Sequence, residues 1–281
     1  MTVAYPGREG AHSAAACGRL FPEETTLIAL PSFTAVADAT IEGEVDSGVL
    51  PIESSLSGPV PETHDLLHGS PLSIAGETIL RIRHCLVGPE IVPLERIRVV
   101  RSHASALDQC RQLLAAMPWA TAIAAGTTAD AAHEVAEHGD PAEAAIASEG
   151  AARRYGLMVI AGDVGDHPES YTRFVAVAPF TRLDRLGAEW RTAFSFVTDH
   201  RPGALHRAIE PFARHRLDLV QLVSRPLPRT PWRYRFDAVL AGHPLDPVVR
   251  ETFAELTTVT RQFTVFGSYP AAVGEARENV S

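Results

Sequence analysis

Along the first two-thirds of the chain, short apolar and β-branched runs alternate with alanine- and leucine-rich stretches of helical period. "TVAY" (2–5) leads through "PGREG" into the helical pattern "AHSAAACGRLF" (11–21), and "SGVLPI" (47–52) predicts another strand. "RIRVV" (96–100) leads through "RSHAS" into "ALDQCRQLLAAM" (106–117), where Leu107, Cys110, Leu113 and Leu114 fall on one helical face. "AAIAS" (144–148) starts a further strand-to-helix unit that ends at Gly156, a C-cap glycine. "SYTRFVAV" (170–177) predicts a half-buried strand after a proline-containing turn. This succession predicts an α/β fold of mostly parallel sheets with helices on both faces, and ligands collect beyond the carboxyl ends of such strands.

The pattern breaks at "APFTRLDRLGAEWRT" (178–192), which predicts a linker with a boundary near residue 185. Beyond it come a strand (192–198), a helix (204–216) with Leu205, Ile209 and Phe212 on one face, strands at 217–224 and 232–241, a helix (247–262) and a strand (263–267). That is the βαββαβ, ferredoxin-like order.

Composition narrows the partners. The chain has 281 residues, 46% hydrophobic and 21% charged, as in a soluble globular protein. A formal net charge of −9 argues against nucleic acid or an anionic membrane as partner, while leaving room for a small anion held by local groups. Cys17, Cys85 and Cys110 are odd in number and sit in apolar contexts, which predicts buried free thiols in a reducing compartment. No signal-peptide pattern or membrane-length apolar run is visible, so a cytoplasmic location is expected.

The candidate chemistry gathers at strand ends. "GREG" (7–10) follows the first strand and opens a helix, a weak anion-binding signal on its own. Glu53, Ser54 and Ser55 follow the strand that ends at "PI", and Ser102 and His103 precede another helix. A nucleophile–base reading of Ser102 and His103 is rejected, because adjacent side chains seldom face each other. Thr127 and Thr128 stand at a further helix start, and Thr172, Arg173 and Phe174 open the last strand of this region. Arginine is rarely buried without a partner. No histidine or cysteine cluster has metal-ligand spacing. Several hydroxyl-bearing strand ends, one of them carrying an arginine, point to a site for a compact polyoxygenated anion.

Together these segments resemble prephenate dehydratase. "GREGAHS", "PIESS", "SHASALDQC", "GTTADAA" and "SYTRF" occur in the family's order and at compatible spacing. The tail resembles an ACT regulatory domain through "PGALH" (202–206), "VSRP" (223–226) and "FGSYP" (266–270). The resemblance implies a two-lobed, periplasmic-binding-protein-like catalytic domain over 1–182, an ACT domain over 190–270, and a tail over 271–281. It implies decarboxylative dehydration of prephenate to phenylpyruvate without a cofactor, in phenylalanine biosynthesis, by a homodimer or homotetramer. In that scheme Thr172 meets the departing hydroxyl, Arg173 clamps a carboxylate, and Glu53 positions groups or shares a proton. Ser54, Ser55, Ser102, Thr127, Thr128, Ser170 and Phe174 contact substrate, and Gly203, Ala204, Leu205, Ser224 and Arg225 serve phenylalanine sensing.

The sequence departs from the family pattern at four places. Ser54 and Ser170 stand where the family has asparagine, Val223 replaces a glutamate of the sensing motif, and Asp218 stands where asparagine is usual. Serine cannot match the donor and acceptor reach of asparagine. Two alternatives follow: a prephenate decarboxylase that loses CO₂ without aromatisation, and a non-catalytic amino-acid-sensing module. The retained Thr172 and Arg173 favour the dehydratase.

Overall fold

A computed structural model describes residues 1–179, 189–227 and 230–272. In chain order the elements are β1 (Thr2–Pro6), α1 (His12–Leu20), β2 (Thr26–Leu30), α2 (Phe33–Ile41), β3 (Ser47–Ser54), β4 (Gly58–Pro59), α3 (Pro61–Gly69) and β5 (Ser73–Arg81). Then come β6 (Cys85–Gly88), β7 (Val99–His103), α4 (Ala104–Asp108), α5 (Arg111–Ala115), β8 (Thr121–Ala125), α6 (Thr128–His138), β9 (Glu143–Ala147), α7 (Glu149–Tyr155), β10 (Met158–Ala161) and β11 (Tyr171–Ala178). The C-terminal part holds β12 (Trp190–Val197), α8 (Ala204–Arg214), β13 (Leu219–Pro226), β14 (Tyr234–Ala241), α9 (Pro247–Val259) and β15 (Gln262–Pro270).

These elements form two α/β lobes and a βαββαβ unit. The first lobe is a sheet ordered β2-β1-β3-β11-β5, and the second a sheet ordered β10-β6-β9-β7-β8. The chain passes to the second lobe between β5 and β6 and returns between β10 and β11. The two crossovers are tied together: Val164 N–H donates to the His84 carbonyl at 2.8 Å and Ile82 N–H to the Ser170 carbonyl at 2.7 Å.

The sheets are mixed, not mostly parallel as the local pattern predicts. β1 pairs in parallel with β2 and β3, whereas β11 runs antiparallel to both β3 and β5. In the second lobe β7 is parallel to β8 and β9, and β6 is antiparallel to β9 and β10. The antiparallel strands are those flanking the crossovers, where the chain must reverse to change lobes. The helix expected over 106–117 is broken into α4 and α5 at Cys110, whose backbone (φ −124°, ψ 36°) is not helical. Leu107, Cys110, Leu113 and Leu114 still share one core with Val100 and Ile146. The strand expected at 96–100 begins only at Val99, because Leu94–Arg96 forms a 3₁₀ turn.

The C-terminal sheet, ordered β13-β14-β12-β15, packs α8 and α9 on one face around Phe194, Phe196, Phe212 and Phe253. Its first strand starts at Trp190, so the expected linker is shorter at its far end; the boundary near 185 lies outside the described residues. The other face shares a core with the first lobe, where Ala193, Val239, Phe266 and Tyr269 meet Val36, Leu50, Ile74 and Val177. Gly267 (φ +150°) comes so close that a Cβ there would lie 2.2 Å from the Ile74 carbonyl oxygen. The unit is therefore built into the first lobe, with no slack at that point. The three cysteines are buried and unpaired, and no helix among the described residues is long and apolar enough to cross a membrane.

Candidate active site

The carboxyl ends of β1 and β3 in one lobe face those of β7, β8 and β9 in the other. Between them lies a cavity of about 430 Å³, lined by Gly7, His12, Ser13, Phe33, Pro51 and Phe174 from the first lobe and His103, Thr127 and Thr128 from the second. Three helices open on it: α1 at His12, α2 at Phe33 and α6 at Thr128. Ser32 Oγ accepts from Ala35 N–H at 3.0 Å and Thr127 Oγ1 from Asp130 N–H at 3.0 Å, so α2 and α6 carry side-chain caps. Ala11 offers α1 no such cap. Among the described residues, no arginine lines the cavity. Favourable potential for an anion comes from the converging positive ends of these helices.

The "GREG" loop clasps the second lobe. Arg8 Nε donates to Asp130 Oδ1 at 2.5 Å, Ser148 Oγ to the Gly10 carbonyl at 2.7 Å, and Tyr155 Oη to the Glu9 carbonyl at 2.9 Å. Arg154 pairs with Glu9. Gly10 has φ +85°, and a Cβ on it would stand 2.6 Å from the Ala151 Cα, so only glycine fits. A motif that is weak in sequence thus proves to be the contact between lobes.

β11 divides the expected residues between its two faces. Its register with β5 is unbroken from Tyr171 to Ala176, so Thr172 and Phe174 share one face and Arg173 takes the other. Phe174 lines the cleft, whereas Thr172, on the same face of β11, is not among the lining residues and sits half-buried beside Leu80. Arg173, expected to clamp a carboxylate, is not among the described residues that line the cleft. Its Nε is 3.6 Å from Glu53 and its Nη1 3.7 Å from Glu77, whose side chain is fully buried. Glu77 also meets Arg191 of β12 at 3.0 Å and accepts from Ala272 N–H at 2.9 Å. Arg173 and Glu53 therefore belong to the junction with the C-terminal unit, because strand alternation turns them from the side that Phe174 occupies.

The serines are mostly engaged with the backbone. Ser54 Oγ accepts from Leu56 and Ser57 N–H at 3.3 and 3.4 Å, and Ser55 Oγ from Tyr171 N–H at 2.9 Å, so both brace the turn after β3. Ser102 is fully buried and donates to the Ile146 carbonyl at 2.6 Å, which also removes it from any pairing with His103. Ser170 lines a separate cavity of about 80 Å³ with His84, Gln109 and His167 beside the crossovers. Thr127, Thr128 and Phe174 are the expected substrate-contacting residues that the cleft does bring together.

Sequence reasoning missed the histidines. His12 and His84 meet edge to face, and His84 Nε2 lies 3.0 Å from Gln109 Oε1. Burial and the neighbouring His84 hold the His12 pKa down at about 4, and burial lowers that of His84. Both imidazoles are neutral at pH 7. A polar residue two positions after Gly10, opening an alanine-rich helix, is the signal that could have found His12. Nothing in the local pattern marks His84.

In the C-terminal unit, Ala204 and Leu205 line a cavity of about 390 Å³ at the start of α8, where Gly203 is the N-cap. Ser224 and Arg225 are not among its lining residues, and Arg225 turns instead toward α3. One group of metal-ligand type exists among the described residues: His215, Glu251 and Glu255 bring donor atoms within 4.8 Å. Glu255 is already paired with Arg214 and His215, and its helical i, i+4 spacing from Glu251 was the sequence signal for this group.

Two lobes that gather the starts of several helices on a shared cleft define a two-lobed α/β protein with a cavity of small-molecule size between them. The family model for prephenate dehydratase matches residues 3–180, and the chain belongs to that family. It is 33% identical over 274 residues to a bifunctional chorismate mutase/prephenate dehydratase of Stutzerimonas stutzeri, covering 97% of this chain and 74% of that one. The solved prephenate dehydratase of Arthrobacter aurescens in complex with L-Phe superposes with a TM-score of 0.88 at 29% identity, covering 96% of this chain and 90% of that one. GqqA, described as a novel type of quorum quenching acylase, superposes with a TM-score of 0.88 at 30% identity, covering 97% of this chain and 99% of that one.

Proposed function

We propose that the protein is a prephenate dehydratase that removes water and CO₂ from prephenate to give phenylpyruvate, in phenylalanine biosynthesis. The observation that carries this reading is the cleft itself, where α1, α2 and α6 begin at a cavity of small-molecule size lined by Phe174, two residues along β11 from Thr172. The helix starts hold the substrate carboxylates, Thr128 and Ser13 orient them, and Phe174 packs the ring. Thr172 hydrogen-bonds the departing hydroxyl as charge develops on it. Aromatisation supplies the driving force, so the protein's task is to hold the carboxylates and keep water from the departing CO₂. The test is the product formed from prephenate, read by NMR. Phenylpyruvate supports the reading, and a non-aromatic dienyl pyruvate, or no turnover, overturns it.

The C-terminal unit, over about 190–270, is an ACT-type domain in this reading, with the catalytic part over 1–182. L-Phe, present in the complex of the Arthrobacter relative, is the proposed effector, and its grip is weakened here by Val223 and Asp218. Edge strand β13 exposes Val220 and Leu222 beside Tyr234, which suits pairing with a second copy. Three buried thiols suit the cytoplasm.

One contact favours a second reading, acyl-amide hydrolysis. Ser105 Oγ lies 2.8 Å from Nδ1 of the cleft-lining His103. The same Nδ1 accepts from Ser105 N–H, so the contact also caps α4. Release of free acid from an N-acyl amide, abolished in Ser105→Ala, would establish it; no release leaves the dehydratase alone.

A further inference from the structure

Helix α3 touches the cleft and the C-terminal unit at once. At its start, Glu62 lines the cavity, and the fully buried Thr63 donates to the carbonyl of Pro51, another lining residue, at 2.6 Å. The next two residues face β13 and β14. Asp65 accepts from Arg225 Nη2 at 2.9 Å and from Arg235 Nη2 at 2.7 Å. Arg235, 1% exposed, also donates to the His64 carbonyl at 3.2 Å and to Asp237 Oδ1 at 3.1 Å. His64 Nδ1 lies 3.1 Å from Asp237 Oδ2. Burial pushes the Asp65 carboxyl up, but the Arg235 hydrogen bond and the two guanidinium charges outweigh it and hold it below the usual range.

The Arg235–Asp237 pair is buried, where desolvation offsets its attraction, and the half-exposed Asp65 pairs add little net stability. They do fix geometry, since each guanidinium fork accepts few arrangements. We infer that His64 and Asp65 are positioning residues, through which the C-terminal unit sets the cleft wall formed by Glu62 and Pro51. Arg225 belongs to the segment matched to the sensing motif. Whatever draws Arg225 from Asp65 therefore loosens α3 and reaches the cleft within one helical turn. This inference rests on the dehydratase reading for its kinetic test only.

The experiment is Asp65→Asn, which keeps the shape and removes the charge, with prephenate kinetics and backbone amide exchange measured together. KM is expected to rise about five- to tenfold with kcat held within about twofold, the signature of lost ground-state positioning. Exchange at 52–54 and 62–64 should quicken. Arg225→Gln breaks the same contact from the other side and gives the same result if Asp65→Asn does not fold. Glu255→Gln, which breaks ion pairs on α9 instead, should change neither readout. Wild-type KM in both variants, or faster exchange confined to 219–241, overturns the inference. If the wild-type protein does not turn over prephenate, the dehydratase reading fails alone, and exchange at 52–54 still decides this one.

Discussion

The rings of His12 and His84 meet edge to face with centroids 6.1 Å apart, one lining the cleft and the other buried beside the lobe crossovers. An unfolded histidine takes up a proton near its ordinary pKa of 6.5, while folded His12 resists down to about 4. Its contribution to stability is therefore full above pH 6.5 and is lost as the pH falls toward 4, by up to about 3 kcal/mol. Urea denaturation at pH 7 and at pH 4.5 should show this loss, and His12→Phe should flatten it. An equal acid slope in that variant would place the titration elsewhere.

Thr172 is assigned the departing hydroxyl. Thr172→Ala should lower kcat by about 10²–10³, the usual loss for one donor at a developing charge, with little change in melting temperature. Thr172→Ser should retain most of the rate. Equal losses in both variants would argue for a packing role of the methyl group.

Arg173 serves the junction, so its loss should be read in stability before affinity. Arg173→Ala leaves Glu77 buried with Arg191 alone, and should cost about 2–3 kcal/mol in urea unfolding. KM for prephenate should rise less than about threefold. A large KM change with unchanged stability would return Arg173 to the cleft.

Ser102 gives a control of opposite character. Ser102→Ala removes a buried hydrogen bond to the Ile146 carbonyl and should cost about 1 kcal/mol with unchanged kinetics.

Gly10→Ala tests the clasp. The added methyl collides with Ala151, so the lobes cannot close fully. Circular dichroism should be unchanged while kcat/KM falls at least tenfold; wild-type kinetics would show that closure is not needed for turnover.

The βαββαβ order was legible because amphipathic helices and alternating strands differ in period, and each element there is long enough to show it. Strand direction was not, since the local pattern of β11 or β6 is the same whichever way its neighbours run. The strand end at 170–174 was legible as a site, yet the roles of its residues divide. Thr172 and Arg173 are adjacent, and the two-residue period of a strand already sends them to opposite faces. The partner that explains Arg173, Glu77, lies almost a hundred positions away on a strand whose sequence gives little warning. Ser54 and Ser55 looked like ligands because the hydroxyls that brace a turn are the same groups that bind an anion.

The clasp at Gly10 leaves nothing to compress. A backbone that meets Ala151 without room for a methyl group, locked by Arg8 and Asp130, cannot open by degrees. It is either seated or lost, as close-packed contacts are bistable and not continuously deformable. If turnover requires the lobes to part, release of this contact is a discrete unlatching step, and its lifetime would set a ceiling on turnover that no improvement in the chemistry at Thr172 could raise.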